Sequence, residues 1–185
     1  MKKYIISLLT IIFLIISFHS YSSELNWKPA QDGNKIILMR HAKAPGGGDP
    51  EGFIIEDCKT QRNLDIMGIN QAKKIGKLFN EKKIKIDKVL SSQWCRCKDT
   101  AKYAFGDFEE FSALNSTYTP PYDQNEKQQI KELKKYVSSW NGKGGNLVLV
   151  THYVIILAIT GETTRSGELV VTDKNFKVLS TVNTF

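Results

Sequence analysis

Histidine and cysteine are scarce in this chain of 185 residues, which contains three of each. Cys95 and Cys97 are separated by a single residue, and His41 and His152 lie far from them in the sequence. Structural zinc sites instead use cysteine and histidine pairs two to five residues apart. The spacing therefore argues against a metal centre, and we expect no metal and no cofactor.

No apolar run in the sequence is long enough for a typical transmembrane helix. The run from Ile5 to Phe18 has 14 residues, whereas a bilayer-spanning helix needs about 20. It follows Lys2-Lys3 and precedes the small-polar segment Ser20-Tyr21-Ser22-Ser23, which is the order of a secretory signal. We predict a signal peptide at 1–22, one domain at 23–185, export to the periplasm and no membrane insertion after cleavage. An uncleaved anchor is the alternative.

Basic stripes interleaved with aromatic residues, and internal repeats, are also absent from the sequence. The formal net charge is +7, a moderate positive balance that suits an anionic substrate. We therefore expect a small anionic molecule as the partner, and not a nucleic acid.

Short apolar runs alternate with segments of helical periodicity. This alternation predicts an α/β fold, a mostly parallel sheet with helices on both faces. The predicted strands are Lys35–Met39, Lys88–Ser91, Phe108–Leu114, Leu147–Val150, Leu169–Thr172 and Lys177–Val182. The predicted helices are Asp65–Lys82, a helix that carries Arg96 and Ala101, Asn125–Trp140 and Tyr153–Thr160.

Both histidines of the predicted domain come directly after an apolar strand. Ile36-Ile37-Leu38-Met39 leads into Arg40-His41, and Leu147-Val148-Leu149-Val150 leads into Thr151-His152. Arg96 follows a third strand end, Ser91-Ser92. The carboxyl ends of parallel strands meet at one edge of a sheet, where ligands bind. Imidazoles beside guanidinium groups indicate a phosphate site.

Four ordered blocks resemble the histidine phosphatase superfamily, in its small, phosphoglycerate mutase-like branch. Leu38-Met39-Arg40-His41-Ala42 resembles the R-H-G signature, and residues 91–101 are similar to S-S-P-L-x-R-A-x-Q-T-A. Residues 64–72 resemble L-x-x-x-G-x-x-Q-A, and Val150-Thr151-His152 resembles V-T-H. The resemblance spans Ile36 to the C-terminus, and it implies a phosphoglycerate mutase-like fold and a phosphatase activity on a small phosphorylated substrate.

The resemblance also implies a role for each residue of the predicted site. His41 is expected to attack phosphorus and to form a phosphohistidine that water hydrolyses. Its partners in holding the phosphate would be Arg40, Arg96 and His152, which can stabilise the transferring group without a metal. We expect Arg62 and Tyr153 to add further substrate contacts.

The general acid is the weakest part of the match. Larger members of the superfamily have a glutamate in an L-x-E position, where this chain has Ser116. We predict that Asp49, in a glycine-rich loop, replaces it, with Glu51 and Asp57 as alternatives. Without an acid, substrates with good leaving groups are favoured, such as phosphoanhydrides or phosphohistidine. The alternative function is a catalytically weak module that binds phosphate or a phosphosugar.

The predicted export has consequences for the identity of the substrate and for the state of the cysteines. Among exported proteins the chain resembles the lipopolysaccharide-core heptose phosphatases, which implies a sugar phosphate of the cell envelope as substrate. An oxidising compartment would allow one disulfide. Cys58 could pair with Cys95 or with Cys97, and the spacing does not choose between them.

Overall fold

A six-stranded sheet forms the centre of the part of the chain that the computed structural model describes, residues 26–142 and 144–184. The strands occur in the spatial order β3-β2-β4-β1-β5-β6. Strands β1 to β4 pair in parallel, whereas β5 runs antiparallel to both β1 and β6. Their bounds are β1 Ile36–Arg40, β2 Ile86–Ser91, β3 Glu109–Glu110, β4 Asn146–Thr151, β5 Leu169–Thr172 and β6 Val178–Val182.

Helices cover both faces of this sheet, which confirms the predicted α/β fold with a mostly parallel sheet. They are α1 Ile66–Glu81, α2 Cys95–Phe105, α3 Glu126–Ser139 and α4 Tyr153–Thr160. Side chains of β1 alternate between the faces, so Ile37 and Met39 pack in the core that contains α1 and α2. Ile36 and Leu38 pack on the opposite side with α3 and α4. Burial on both faces explains why the central strands are continuously apolar.

Helix α1 begins where the sequence predicted it. The Asp65 carboxylate accepts a hydrogen bond of 2.7 Å from the backbone N–H of Gly68, which caps the first turn. Ile75 and Phe79 are buried one turn apart, whereas Ile69 is only partly buried.

The predicted third strand, Phe108–Leu114, is wrong in most of its length. Only Glu109 and Glu110 pair with β2, and the chain then turns into a 3-10 helix at Ser112–Leu114. This turn buries Ala113 and Leu114, and the Leu114 carbonyl accepts a hydrogen bond from Thr151 Oγ1 at 2.6 Å. An edge strand pairs on one side only, so burial of these two side chains decides the local backbone.

The predicted signal peptide, residues 1–22, lies outside the described residues. Within 26–142 and 144–184, no helix is both long enough and apolar enough to cross a membrane.

Candidate active site

Three parallel strands bring the candidate residues to one edge of the sheet. The His41 backbone N–H donates to the carbonyl of Thr151, and the Ser92 N–H donates to that of Val150, each at 2.9 Å. These bonds extend the pairing of β1 and β2 with β4 by one residue past the strand ends. The rings of His41 and His152 consequently lie with their centroids 5.5 Å apart.

A cavity of about 210 Å³ opens at this edge. All seven residues that the sequence singled out for catalysis or substrate binding line it: Arg40, His41, Asp49, Arg62, Arg96, His152 and Tyr153. The structure therefore brings together side chains that come from β1, a long loop, α2 and the start of α4. Their chemical roles depend on the contacts that each one makes.

The His41 imidazole has a defined tautomer. Its Nδ1 lies 2.7 Å from the carbonyl oxygen of Ala42, which can only accept, so Nδ1 carries the proton and Nε2 carries the lone pair. Burial lowers the pKa of His41 well below its usual value, and the charge of Arg96 lowers it further. A neutral imidazole with a free Nε2 lone pair can act as a nucleophile.

His152 is likewise buried, and its pKa is lowered by burial and then by the charge of Arg96. Its Nε2 lies 3.0 Å from Ser92 Oγ and 3.4 Å from Cys97 Sγ. These two contacts leave Nδ1 as the ring nitrogen available for a ligand. Burial raises the pKa of the Cys97 thiol to about 12, so this cysteine stays protonated.

Three arginines surround the two neutral rings. Arg40 donates through Nη1 to the Thr164 carbonyl at 2.6 Å, and Arg62 donates through Nη1 to the Ala44 carbonyl. In all three, Arg40, Arg62 and Arg96, the Nε atom is buried and has no hydrogen-bond partner among the described residues. Buried donors of this kind are costly unless something accepts from them. The arrangement is therefore suited to an anion with several acceptor oxygens.

Asp49 makes contacts different from those expected of a general acid. Its carboxylate accepts two hydrogen bonds from Arg96, at 2.7 and 3.0 Å, and one each from the Trp94 indole and the Arg62 backbone. Burial alone would raise the pKa of the Asp49 carboxyl, but its hydrogen bonds to Arg96 and the charge of Arg96 outweigh this and lower it. An ionised, fully bonded carboxylate does not support the predicted role as proton donor.

The two alternative acids do not reach the cavity. Glu51 and Asp57 are exposed and absent from its lining, and Asp57 accepts from the Lys59 backbone N–H at 3.0 Å to cap a 3-10 turn. Ser116, at the position where larger members of the superfamily that the sequence resembles have glutamate, does line the cavity. Within the described part of the chain, no group of three or more His, Cys, Asp or Glu side chains could hold a metal ion.

A disulfide joins Cys58 to Cys95, so the structure decides between the two pairings that the sequence allowed. Cys97 is left as a free, buried thiol. Cys95 is the first residue of α2 and directly precedes Arg96, whereas Cys58 lies in the loop that carries Asp49 and Arg62. The bond therefore ties this loop to the helix that supplies Arg96.

Several residues that line the cavity were not predicted from the sequence. Trp94 stands in the block that resembles S-S-P-L-x-R, but nothing in that block predicts a bond from its indole to Asp49. Tyr118 also lines the cavity, and its ring lies 5.9 Å from that of Tyr153. Thr119 lines the cavity as well, so the segment around Tyr118 forms part of the site.

No model of a known protein family matches the sequence, and no curated protein matches it significantly. Solved structures do match. The protein histidine phosphatase SixA complexed with tungstate is 13% identical, with a TM-score of 0.57 over 81% of this chain and 97% of that one. The alpha-ribazole phosphatase of Shigella flexneri is 16% identical, with a TM-score of 0.62 over 80% and 96%.

A third structure, from Agrobacterium tumefaciens, carries a provisional assignment as phosphohistidine phosphatase SixA. It is 20% identical, with a TM-score of 0.57 over 81% of this chain and 98% of that one. At these identities the likeness establishes the fold, and it covers nearly the whole of each of the three solved chains.

Proposed function

We propose, on the premise that the chain has the histidine phosphatase fold, that it is an exported, metal-independent phosphomonoesterase. The observation that carries the proposal is a neutral, buried His41 among three arginines whose buried Nε–H groups have no partner among the described residues. A tetrahedral phosphoryl group offers the acceptor oxygens and negative charge that this arrangement lacks.

The reaction would proceed in two displacements at phosphorus. In the first, the lone pair of His41 Nε2 forms a bond to phosphorus while the bond to the leaving group breaks, which yields a phosphohistidine. In the second, a water oxygen forms a bond to phosphorus while the bond from phosphorus to Nε2 breaks, which releases phosphate with the protons of water and returns the lone pair to the neutral ring. Arg40, Arg62, Arg96 and the Nδ1 side of His152 would stabilise the charge on the phosphoryl oxygens in both steps.

The contacts of Asp49 influence which substrates suit the site. Asp49 is the only carboxylate among the described cavity-lining residues, and it is paired with Arg96. Substrates whose leaving group departs without a proton, such as phosphoanhydrides and phosphohistidine, are therefore favoured over alkyl esters. A sugar phosphate of the cell envelope, which the sequence resemblance implies, is an alkyl ester and remains the substrate to compare with them.

Export to the periplasm is part of the proposal. The Cys58–Cys95 disulfide supports it, because disulfides persist in oxidising compartments such as the bacterial periplasm. The positive, apolar and small-residue segments of 1–22 provide the corresponding signal sequence.

A phosphate-binding module with little catalysis is the second candidate function. Ser116 stands where larger relatives have glutamate, and Asp49 is held by Arg96. Such a protein would keep the anion site and lose turnover of substrates that need a proton donor.

Turnover assays on the purified protein separate the two functions. We expect hydrolysis of an aryl phosphate and of a phosphohistidine peptide, inhibition by vanadate, an acid-labile phosphoenzyme, and full activity in EDTA. Activity that EDTA abolishes and a divalent metal restores would overturn the metal-independent mechanism. Vanadate binding without turnover of either compound, or of a sugar phosphate, would identify the binding module.

A further inference from the structure

The ion pair between Asp49 and Arg96 occupies a particular edge of the guanidinium group. Asp49 Oδ1 lies 2.7 Å from Arg96 Nη1, and Oδ2 lies 3.0 Å from Nη2, so the two groups meet end to end. Nη1 makes a second, longer bond of 3.3 Å to the Arg62 carbonyl. Both side chains are nearly inaccessible to solvent, at 3% for Arg96 and 8% for Asp49.

The remaining donors of Arg96 lie side by side. A guanidinium group has five N–H donors, and the contacts to Asp49 and Arg62 use both protons of Nη1 and one of Nη2. Nε–H and the second Nη2 proton remain, on the edge next to the one that Asp49 covers. Nε is buried without a partner among the described residues. Two parallel N–H donors on one edge match the spacing of two phosphoryl oxygens.

The same carboxylate holds two further parts of the site. It accepts from Trp94 Nε1 at 3.0 Å, and the Trp94 ring packs edge-on against His152 with centroids 5.5 Å apart. It also accepts from the backbone N–H of Arg62 at 3.0 Å. Asp49 thus contacts residues of both the long loop and the segment that begins α2.

We propose that Asp49 is a positioning residue that fixes the guanidinium plane of Arg96, so that Nε–H and one Nη2–H face the phosphoryl group. Asp49 remains ionised throughout and gives no proton to the leaving group. This inference rests on the proposed function for the identity of the anion, whereas the orientation of Arg96 can be measured in the protein without a ligand.

The test compares Asp49→Asn, which keeps the shape but replaces one of the two acceptor oxygens by an NH2 donor, with Asp49→Glu, which keeps the charge. Glu56→Gln, an exposed acid of the same loop outside the cavity, is the matched control. The readouts are the Arg96 Nε–H signal in ¹H–¹⁵N spectra, assigned with Arg96→Lys, the Kd for vanadate, and kcat and kcat/KM on an aryl and an alkyl phosphate. Thermal unfolding confirms that each variant is folded.

We expect Asp49→Asn to broaden the Arg96 Nε–H signal, weaken vanadate binding and lower turnover on both substrates by a similar factor. The factor is about 10- to 100-fold, by analogy with the groups that orient metal-ligating side chains. The basic limb of the pH–rate profile should stay in place, and Asp49→Glu should recover part of the vanadate affinity. Glu56→Gln should match the wild type in every readout.

Three other results would overturn the inference. A loss confined to the alkyl phosphate, with the basic limb of the pH profile removed, would make Asp49 the general acid. Tighter vanadate binding in Asp49→Asn would mean that the carboxylate competes with the anion for Arg96. An unchanged Arg96 signal would show that Asp49 does not position it. The proposed function fails separately. If the wild type binds no vanadate, but Asp49→Asn still broadens the Arg96 Nε–H signal, the proposed function is refuted and the positioning of Arg96 is not.

Discussion

His41 and Arg96 lie in the same cavity, but their contacts support different chemical roles. The Ala42 carbonyl holds the proton of His41 on Nδ1, which leaves the Nε2 lone pair for the attack that we propose. In the proposed reaction Arg96 stabilises the charge on the phosphoryl oxygens together with Arg40 and Arg62, which line the same cavity. Substitution of His41 should therefore abolish the phosphoenzyme, whereas substitution of Arg96 should only slow its formation.

Substitution of each residue tests this division. His41→Ala should abolish both turnover and the acid-labile phosphoenzyme, because no other group is proposed to carry the phosphoryl. Arg96→Ala should still form the phosphoenzyme, about 10²- to 10³-fold more slowly, since one charge-stabilising donor is lost. Rapid mixing with labelled substrate and acid quenching measures both. A phosphoenzyme that persists in His41→Ala would contradict the assignment.

The lowered pKa values of the two histidines give a second prediction. Burial and the charge of Arg96 disfavour the imidazolium in both rings, so neither His41 nor His152 should titrate near the usual value of about 6.5. Their ring C–H signals in NMR spectra should keep neutral shifts as the pH falls through 6. The same signals in urea-unfolded protein, which should titrate normally, are the control.

The lowered pKa values of the folded histidines also make the free energy of unfolding depend on pH. The unfolded histidines take up protons below about pH 6.5 while the folded ones do not. Their contribution to the free energy of unfolding is therefore complete above that pH and decreases as the pH falls. Folded-state titration of either ring at pH 6.5 or above would contradict the burial argument.

At the scale of the elements, one covalent bond joins the loop of residues 42–63 to α2. The loop carries Asp49 and Arg62, and the Cys58–Cys95 bond closes a separation of 37 residues. Loop-closure entropy makes such a bond worth about 4 kcal/mol.

Cys58→Ala/Cys95→Ala should lower the free energy of unfolding by about this amount and weaken vanadate binding. Chemical unfolding and calorimetric titration measure the two effects. Dithiothreitol should have the same effects on the wild type and none on the double variant, which controls for the reagent. Unchanged vanadate affinity in the double variant would mean that the loop holds its position without the bond.

Close packing of α1 against α2 is the second feature at this scale. A Cβ at Gly76 would lie 2.1 Å from the backbone oxygen of Ala104, so the helices would have to separate. Gly76→Ala should therefore destabilise the fold by about 1–3 kcal/mol, although alanine is the better helix former. Lys74→Ala, an exposed change in the same helix, should alter stability by less than about 0.5 kcal/mol. Urea unfolding compares the two.

At the scale of the whole molecule, export can be tested on the protein made with its native leader. Signal cleavage after Ser22 should give an N-terminus at Ser23, because Ser20-x-Ser22 provides the small residues that a signal peptidase needs. Intact-mass spectrometry of a periplasmic extract checks this. A full-length product retained in the membrane would show that residues 5–18 act as an anchor.

Local patterns in the sequence were sufficient to predict the order of most strands and helices. Continuous apolar runs predicted the central strands, because a strand buried on both faces needs apolar side chains throughout. Helix α4, Tyr153–Thr160, has the bounds that were predicted. The predicted Phe108–Leu114 strand was wrong beyond Glu110, because the chain there forms a 3-10 turn that buries Ala113 and Leu114 and bonds the Leu114 carbonyl to Thr151 Oγ1.

The residues that follow the central strands can be identified from the sequence alone, because each apolar run that fills the core ends at a polar residue. His41, Arg40 and His152 could therefore be predicted, and they line one cavity. The partners of Asp49 and Cys58 could be found only in the folded structure, because both residues lie in a long loop whose path depends on what it packs against. Hydrogen bonds between Asp49 and Arg96 join residues 47 positions apart, and no local propensity encodes a contact at that distance along the chain.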